Sequence, residues 1–147
     1  MFDAAHRLPQ LDSKCANLHG HTWQVRVTIG APHLSPDSTV VEFGTVKDLM
    51  RAWIDTHIDH ATLLGKDDPL IPALRAAGCR VYEFGADYPD QMWPTAEAAA
   101  AMIAHHAHSW ARAGGRDDVH VLRVEVFTAS RNSAAWTTSL PGWLTTL

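Results

Sequence analysis

The alternation of apolar and polar residues first predicts β-strands at the start of the chain. Between residues 22 and 30 every second side chain is apolar, a period typical of a strand with one buried face. Residues 2–8 predict the end of a shorter strand. After turn-forming residues at 31–38, the apolar run at residues 39–43 is expected to pair back as an antiparallel hairpin.

From residue 45 the apolar period changes to that of a helix, which is expected to end near residues 59–60. A second helix is predicted to begin after Pro94. Thr95 is a suitable N-cap for it, and a carboxylate in its first turn suits the positive end of the helix dipole. Its expected buried stripe consists of Ala99, Met102, Ile103, His106 and Trp110, and Gly114-Gly115 should end it.

The remaining segments complete an α+β pattern. Between the helices we expect a loop from residue 65, a short helix at 71–77 and a short strand at 80–84. Strands at 119–128 and 134–138, joined by a turn, follow the second helix. Hairpins at both ends of the chain predict an antiparallel four-stranded sheet with both helices on one face.

Composition narrows the class of protein. The chain has 147 residues, enough for one domain, and a formal net charge of −4, which gives no basic surface for nucleic acid or membrane. No apolar run is long enough to span a bilayer, and no signal-peptide pattern is present. The two cysteines, Cys15 and Cys79, do not suggest a disulfide scaffold, so we expect a reducing, cytoplasmic location.

The ten histidines are the unusual feature, and three of them are spaced for a metal. His19 and His21 are two residues apart at the start of the first long strand, so both project from one face. Gly20 leaves the opposite face open. His6, on a neighbouring strand, would complete the set. Three neutral imidazoles with an open fourth position are typical of catalytic zinc, although an isolated His-Gly-His tripeptide is common.

Other candidate residues have competing interpretations. Cys15 is either an inert loop thiol or, beside a dication, a thiolate base or nucleophile. Asp59-His60 is either an ordinary helix end or an imidazole oriented by a carboxylate to relay protons. The histidines at 105, 106 and 108 do not share one helix face, so we expect them at the surface and its edges.

Together these motifs resemble the 6-pyruvoyl-tetrahydropterin synthase and 6-carboxytetrahydropterin synthase family. The resemblance runs through about residues 2–30, 39–60 and 94–136. It rests on Phe-x-Ala-Ala-His6, Cys15-x3-His19-Gly-His21, Val41-Glu42-Phe43, Asp59-His60 and Pro94-Thr95-x-Glu97. It implies a single tunnelling-fold (T-fold) domain over 1–147, with 65–93 as an insertion. It also implies a ring oligomer, commonly a hexamer built as a dimer of trimers, with active sites at subunit contacts.

The resemblance also implies roles for individual residues. His6, His19 and His21 would bind zinc, and Cys15 would be the general base. Asp59 and His60 would form the proton relay, which a neighbouring subunit could supply. Thr95 and Glu97 would lie near the pterin. Basic residues that could meet a triphosphate are Arg7, Lys14 and Arg26.

The implied substrate is 7,8-dihydroneopterin triphosphate. In the carboxy branch of the family the triphosphate and a two-carbon fragment are lost, which leaves a 6-carboxylate for deazaguanine and queuosine biosynthesis. In the pyruvoyl branch the triphosphate leaves and the side chain isomerises. The spacing of Cys15 and the His-Gly-His tripeptide favours the carboxy branch.

One position departs from the family pattern. Family members usually carry a glutamate in the last long strand that binds the amino-pyrimidine edge of the pterin, and Thr128 stands there. A hydroxyl cannot replace the paired charge-assisted bonds of a carboxylate. Either Glu97 or Glu125, the latter by way of a bulge, holds the pterin, or the substrate is a different heterocycle. A catalytically silent pterin-binding homologue is the non-enzymatic alternative.

Overall fold

A computed structural model describes residues 1–129 and 132–139. One turn of 3-10 helix lies at Lys14–Ala16. The other elements, in chain order, are β1 (Phe2–His6), β2 (His19–Gly30), α1 (Phe43–His57), β3 (Thr62–Gly65), α2 (Ile71–Ala76), β4 (Val81–Phe84), α3 (Ala96–Ala111), β5 (His120–Ala129) and β6 (Asn132–Thr137). None of the helices in these two ranges combines the length and apolarity needed to cross a membrane.

The α+β class is confirmed, but the predicted four-stranded antiparallel sheet is wrong. The described strands form one six-stranded sheet in the order β4-β3-β1-β2-β5-β6. β3 pairs parallel to both β1 and β4, so the sheet is mixed. The strand predicted at 80–84 is confirmed as β4, whereas β3 was missed. Leu63 and Leu64 are both buried, so β3 is covered on both faces and lacks the alternation of a half-exposed strand.

The hairpin strand predicted at residues 39–43 is also wrong. Helix α1 begins at Phe43, because Glu42 is its N-cap. The Glu42 carboxylate accepts the backbone N–H groups of Gly44 at 2.7 Å and Thr45 at 2.5 Å. Such a cap satisfies two N–H groups that the first turn of a helix leaves without partners.

Arg116 holds the segment that precedes α1. Its guanidinium donates to the backbone carbonyls of His33 at 2.7 Å, Thr39 at 3.2 Å and Val40 at 3.3 Å. Asp118 fixes the same guanidinium through two hydrogen bonds. Carbonyls that a strand would offer to its neighbour are therefore bound by a side chain instead.

The core is formed by the sheet together with α1 and α3. Trp23 of β2 is fully buried, and the alternate residues after it also pack toward the core, whereas Thr22, Gln24, Arg26 and Thr28 are exposed. Ile54 of α1 and Ile103 of α3 belong to the same apolar cluster. Odd-numbered positions of β2 therefore face the helices. The single-domain boundary, the insertion at 65–93 and the ring assembly stay predictions.

Candidate metal centre

The antiparallel pairing of β1 with β2 brings His6, His19 and His21 together. His6 lies directly opposite His19, and Ala4 lies opposite His21. The three ring centroids are 4.6, 5.2 and 4.9 Å apart. One nitrogen from each ring can be chosen so that all three lie within 4.8 Å of one another, close enough to share one ion.

Backbone carbonyls orient two of these rings. The Nδ1 atom of His6 lies 2.7 Å from the carbonyl oxygen of Pro94, and that of His19 lies 2.8 Å from the carbonyl oxygen of Asn17. Because a carbonyl can only accept, both Nδ1 atoms carry the proton, and both Nε2 atoms keep a lone pair for a metal. In metal-binding histidines, the ring nitrogen that does not bind the metal typically donates a hydrogen bond of this kind.

The nitrogen donors of the three histidines are suited to a metal ion. The Nε2 atom of His6 is buried and makes no hydrogen bond to any residue in the described ranges. A buried polar atom without a partner is costly, and it calls for an explanation in the local structure. A cation held by three imidazole nitrogens would supply that missing partner.

Burial favours the neutral form of His6 and His21. It lowers the pKa of His6 to about 4, with smaller contributions from His19 and His21, although the hydrogen bond to Pro94 acts in the opposite direction. The pKa of His21 is lowered by burial and then by His19. Neutral imidazole is the form that binds metals, so His6 and His21 are ready to bind at neutral pH.

Trp23 forms the buried wall beneath the histidines. Its ring centroid lies 5.0 Å from that of His6 and 6.1 Å from that of His21. Its indole Nε1 donates to the carbonyl oxygen of Ala4 at 3.2 Å, which satisfies its polar atom. Phe2 stacks on the far side of the indole, at 5.8 Å. This packing limits rotation of the two histidine rings.

Cys15 lies near the cluster but outside the group of three ligands. It is half-buried in the 3-10 turn, which is capped by the Ser13 hydroxyl. Its carbonyl oxygen accepts the backbone N–H of Leu8 at 2.7 Å, two residues after His6. The backbone of Cys15 is therefore held near the end of β1, and its thiol is not one of the three clustered donors.

Asp59 and His60 form a hydrogen-bonded pair after α1. The Asp59 carboxylate lies 3.0 Å from the Nδ1 of His60 and accepts the backbone N–H of Asp3 at 3.0 Å. Partial burial raises the pKa of Asp59, but the hydrogen bonds from Asp3 and His60 outweigh it, and the pKa is lowered overall. His60 has a left-handed backbone, with φ of 55°, and its side chain is 78% exposed.

The structure does not bring this pair to Cys15 within one chain. The backbone N–H of His60 donates to the carbonyl of Asp3, whereas Cys15 contacts Leu8. Asp3 is the second residue of β1, whereas Leu8 lies two residues beyond its end at His6. The proposed base and the proposed relay are thus at opposite ends of β1.

The predicted pterin-contact residues lie in three different settings. Thr95 is the N-cap of α3, and its hydroxyl accepts the N–H of Ala98 at 3.1 Å. Because it follows Pro94, it is adjacent to the metal centre. Glu97 is exposed in the first turn of α3. Thr128 is half-buried in β5, at an irregularity in the pairing with β6.

Glu125 is paired with two arginines. Its neighbours Val124 and Val126 are buried, so Glu125 projects from the opposite face of the sheet. It forms ion pairs with Arg123 at 3.0 Å and with Arg26 at 3.6 Å, and these arginines, Arg123 first, lower its pKa. The irregularity in the β5–β6 pairing lies between Phe127 and Ala129, beyond Glu125, and a role for Glu125 in holding the pterin stays a prediction.

Arg7 is not a free cation for a triphosphate either. Its guanidinium donates to both oxygens of Asp68, at 2.8 and 2.9 Å. Asp68 is buried and also accepts the backbone N–H of Leu70 at 2.9 Å. Arg26 faces Glu125 and the Phe127 ring, whereas Lys14 is exposed in the 3-10 turn.

Sequence reasoning missed the groups that support the three histidines. The carbonyls of Pro94 and Asn17 act through the backbone, which has no side-chain signature. The one signal for Pro94 is its position immediately before the Thr95 cap, because the residues at a helix start are fixed in space. Nothing in the spacing of Asp68 marks it as the partner of Arg7.

Comparisons with known proteins agree with this arrangement. A family model described as 6-pyruvoyl tetrahydropterin synthase matches residues 1–139. A 6-carboxy-5,6,7,8-tetrahydropterin synthase of Aquifex aeolicus is 31% identical over 127 residues, 84% of this chain and 76% of that protein. The enzyme of the same name from Rickettsia conorii is 40% identical over 67 residues, 46% of this chain and 49% of that protein. The chain thus spans about half the length of the rickettsial relatives it matches.

Solved structures share the fold at low sequence identity. An uncharacterized protein from Wolinella succinogenes aligns with a TM-score of 0.74 and 20% identity, over 94% of each chain. A catalytic-residue mutant of Plasmodium vivax 6-pyruvoyltetrahydropterin synthase aligns with a TM-score of 0.68 and 15% identity, over 95% of this chain and 91% of that one.

Proposed function

The chain belongs to the 6-pyruvoyl tetrahydropterin synthase family, and we propose that it is a zinc-dependent lyase that converts 7,8-dihydroneopterin triphosphate to 6-carboxytetrahydropterin. The observation that carries the proposal is the cluster of three imidazoles with the unpartnered Nε2 of His6. The names of the bacterial relatives favour the carboxy product.

His6, His19 and His21 would hold the metal and leave a fourth position open to substrate. Zinc bound there would act as a Lewis acid toward the hydroxyl groups of the substrate side chain. The carbonyls of Pro94 and Asn17 keep two rings in the metal-binding tautomer, so little reorganisation is needed when the site fills.

Cys15 would be the general base of the reaction. Its backbone is held at Leu8, two residues after His6, and a dication bound near the thiol would favour the thiolate. The thiolate would accept a proton from the side chain of the substrate. The Asp59–His60 pair would donate or accept the next proton, with Asp59 holding the imidazole through its Nδ1–H.

The relay would come from a neighbouring copy of the chain. The backbone of His60 is bound at Asp3, near the start of β1, whereas that of Cys15 is bound at Leu8, beyond its end. In a ring of subunits, each contact between neighbouring copies would bring Cys15 of one copy close to His60 of the next. The two free cysteines accord with a reducing, cytoplasmic compartment.

Thr128 supports a second candidate function, in which the same chemistry acts on a different pterin-like heterocycle. The family's usual carboxylate is absent there, and Glu125 is held by two arginines on the other face. A hydroxyl presents one donor and two acceptor sites, without the charge that pairs with an amino-pyrimidine edge.

Product analysis tests the proposal. Zinc-loaded protein is incubated with fresh 7,8-dihydroneopterin triphosphate, and the products are separated by liquid chromatography with mass detection. A 6-carboxytetrahydropterin peak is expected. Unchanged substrate, with stoichiometric zinc in the protein, would contradict the proposal and favour another heterocycle or a catalytically silent homologue. A 6-pyruvoyl product would place the chain in the other branch.

A further inference from the structure

A short stretch of chain just before α3 supplies the carbonyl that orients His6. It consists of residues 92–94, which we call the Pro94 segment. Pro94 is fully buried, and its carbonyl oxygen lies 2.7 Å from the Nδ1 atom of His6. Because this hydrogen bond decides which nitrogen of His6 faces a metal, whatever holds the Pro94 segment in place also orients the ligand.

The start of α3 fixes one end of the Pro94 segment. The backbone N–H of Thr95 donates to the carbonyl of Trp93 at 2.8 Å, which closes a γ-turn centred on Pro94. The Thr95 hydroxyl in turn caps α3 by accepting the N–H of Ala98. These contacts fix the side of Pro94 that leads into the helix, so the other side, at Met92 and Trp93, needs support from elsewhere in the fold.

Gly65, the last residue of β3, supports that other side because it has no side chain. A Cβ atom at residue 65 would lie 2.7 Å from the carbonyl oxygen of Met92 and 2.9 Å from two ring carbons of Trp93. Atoms in a close-packed interior cannot approach this closely, so an added methyl group would displace its neighbours. The Met92 backbone and the Trp93 ring therefore pack directly against the glycine, at a distance that only glycine permits.

Strand β3 connects this contact to His6. In the parallel pairing of β1 with β3, His6 lies opposite Leu63. Gly65 is two residues beyond Leu63 and faces the same side of the sheet. On its other edge β3 pairs with β4, where Gly65 lies opposite Phe84. Neighbouring strands therefore hold both the glycine and the ligand, and the Pro94 segment contacts each of them.

We propose that Gly65 is a positioning residue of the metal centre, because its contact with Trp93 holds the Pro94 carbonyl against His6. The inference deepens the proposed function and rests on its three-histidine site. A methyl group at residue 65 would push the Pro94 segment away, lengthen the hydrogen bond to Nδ1 and allow the His6 ring to turn. Loss of a hydrogen bond that orients a metal ligand typically lowers metal affinity by about 10- to 100-fold.

Four variants separate this role from a general effect on the fold. Gly65→Ala adds the methyl group, and Gly114→Ala is its matched control, since a Cβ there meets nothing within 4 Å. Trp93→Leu loosens the same contact without overpacking it, so it tests the role even when Gly65→Ala folds poorly. Val121→Ala destabilises the core at a fully buried position of β5, at the far end of β2 from the histidines.

Two measurements are made on each variant. Competition with a chromophoric chelator gives the affinity for zinc. In metal-free protein, proton NMR with ¹⁵N-labelled histidine detects the Nδ1–H of His6, which its hydrogen bond protects from exchange with water. The signal is assigned by its loss in His6→Gln. This second measurement reports the proposed contact directly and needs neither metal nor pterin.

Gly65→Ala and Trp93→Leu should bind zinc about tenfold or more weakly, and their His6 Nδ1–H signal should move upfield or be lost through exchange. Gly114→Ala should match the unmodified protein. Val121→Ala should lower the Tm but keep both the zinc affinity and the signal. Unchanged affinity and signal in folded Gly65→Ala, or equal losses in Val121→Ala, would overturn the proposal. Failure of the unmodified protein to bind zinc would instead defeat the proposed function, and the NMR comparison would still decide the role of Gly65.

Discussion

His6 is the residue on which the geometry of the metal centre depends most. Its Nδ1 is bound to the Pro94 carbonyl, its ring contacts Trp23, and its Nε2 is buried without a partner in the described chain. These contacts join β1, β2 and the start of α3 at a single imidazole. The metal-free protein must therefore accommodate a buried, neutral ring with one unsatisfied nitrogen.

The first prediction concerns the stability of the metal-free protein at acid pH. His6 has an ordinary pKa of 6.5 and a folded-state pKa of about 4, so the unfolded chain binds more protons between these values. The contribution of His6 to the free energy of unfolding is fully present above pH 6.5 and is lost as the pH falls toward about 4. The lowered pKa values of His21, His106 and His108, each caused first by burial, act in the same direction.

Thermal unfolding of metal-free protein across this pH window measures the effect. The His6→Gln variant removes one titrating group, so its Tm should fall less steeply with acidification than that of the unmodified protein. Parallel Tm curves for the two proteins would show that His6 does not carry this dependence.

The second prediction concerns Thr128. Replacing it with glutamate restores a carboxylate at the family's usual position, and charge-assisted hydrogen bonds are about twice as strong as neutral ones. Thr128→Glu should therefore tighten pterin binding by about tenfold or more, measured by fluorescence titration with a pterin. Thr128→Gln is the matched control, since it adds similar bulk without the charge. Equal affinity in all three proteins would count against position 128 as the anchor.

Among the secondary-structure elements, the strand that carries His6 is tied to β3 and α2 by a buried ion pair. Arg7 binds both oxygens of Asp68, whose side chain is completely buried, and Asp68 also accepts the N–H of Leu70. Removal of one partner leaves the other charge buried without compensation.

The third prediction follows from this pair. Asp68→Ala should lower the free energy of unfolding by roughly 2–4 kcal/mol, somewhat below the loss for fully buried pairs because Arg7 is partly exposed. Urea denaturation measures the change. Asp67→Ala, at the exposed neighbouring aspartate, should change stability by less than about 0.5 kcal/mol. Similar losses in both variants would contradict a specific role for the Arg7–Asp68 pair.

The elements that the sequence predicts correctly are those whose period extends over many residues. β2, α1, α3 and β5 all bury one face and expose the other, so their patterns are informative. β3 is short and buried on both faces, which removes the period. The strand expected at 39–43 failed because Arg116, 77 residues from Thr39, binds its carbonyls, a contact that no local pattern contains.

In the candidate site, too, the sequence predicts the features that follow from local strand geometry and misses those that depend on distant contacts. The spacing of His19 and His21 and the upstream His6 predicts the cluster, because strand geometry alone brings them to one face. The supporting carbonyls of Pro94 and Asn17, and the engagement of Arg7 by Asp68, depend on tertiary contacts between distant segments. Sequence periodicity contains no information about such contacts.

For the whole molecule, the separation of Cys15 from Asp59–His60 is the main consequence for function. Within a single chain the backbone contacts of the two groups lie toward opposite ends of β1, at Asp3 and at Leu8. A complete catalytic site would then require at least two copies of the chain, each contributing one group. Activity should depend on assembly and fall when subunits dissociate.

The fourth prediction tests this by mixing two inactive variants. Cys15→Ala and His60→Ala should each abolish turnover of dihydroneopterin triphosphate. Subunits dissociated, mixed in equal amounts and reassembled should regain about a quarter of the unmodified activity, because one contact in four pairs an intact Cys15 with an intact His60. Absence of activity in mixed oligomers verified by native mass spectrometry would place both groups in one subunit or exclude one of them.

The most direct test of the account is the coordination of the metal itself. Zinc content by plasma mass spectrometry and X-ray absorption at the zinc edge should show one zinc per chain. The shell should consist of three imidazole nitrogens at about 2.0–2.1 Å and one further light atom. His19→Ala should lose the metal, and His33→Ala should keep it. A sulfur neighbour at about 2.3 Å, or stoichiometric zinc retained in His19→Ala, would contradict the three-histidine centre.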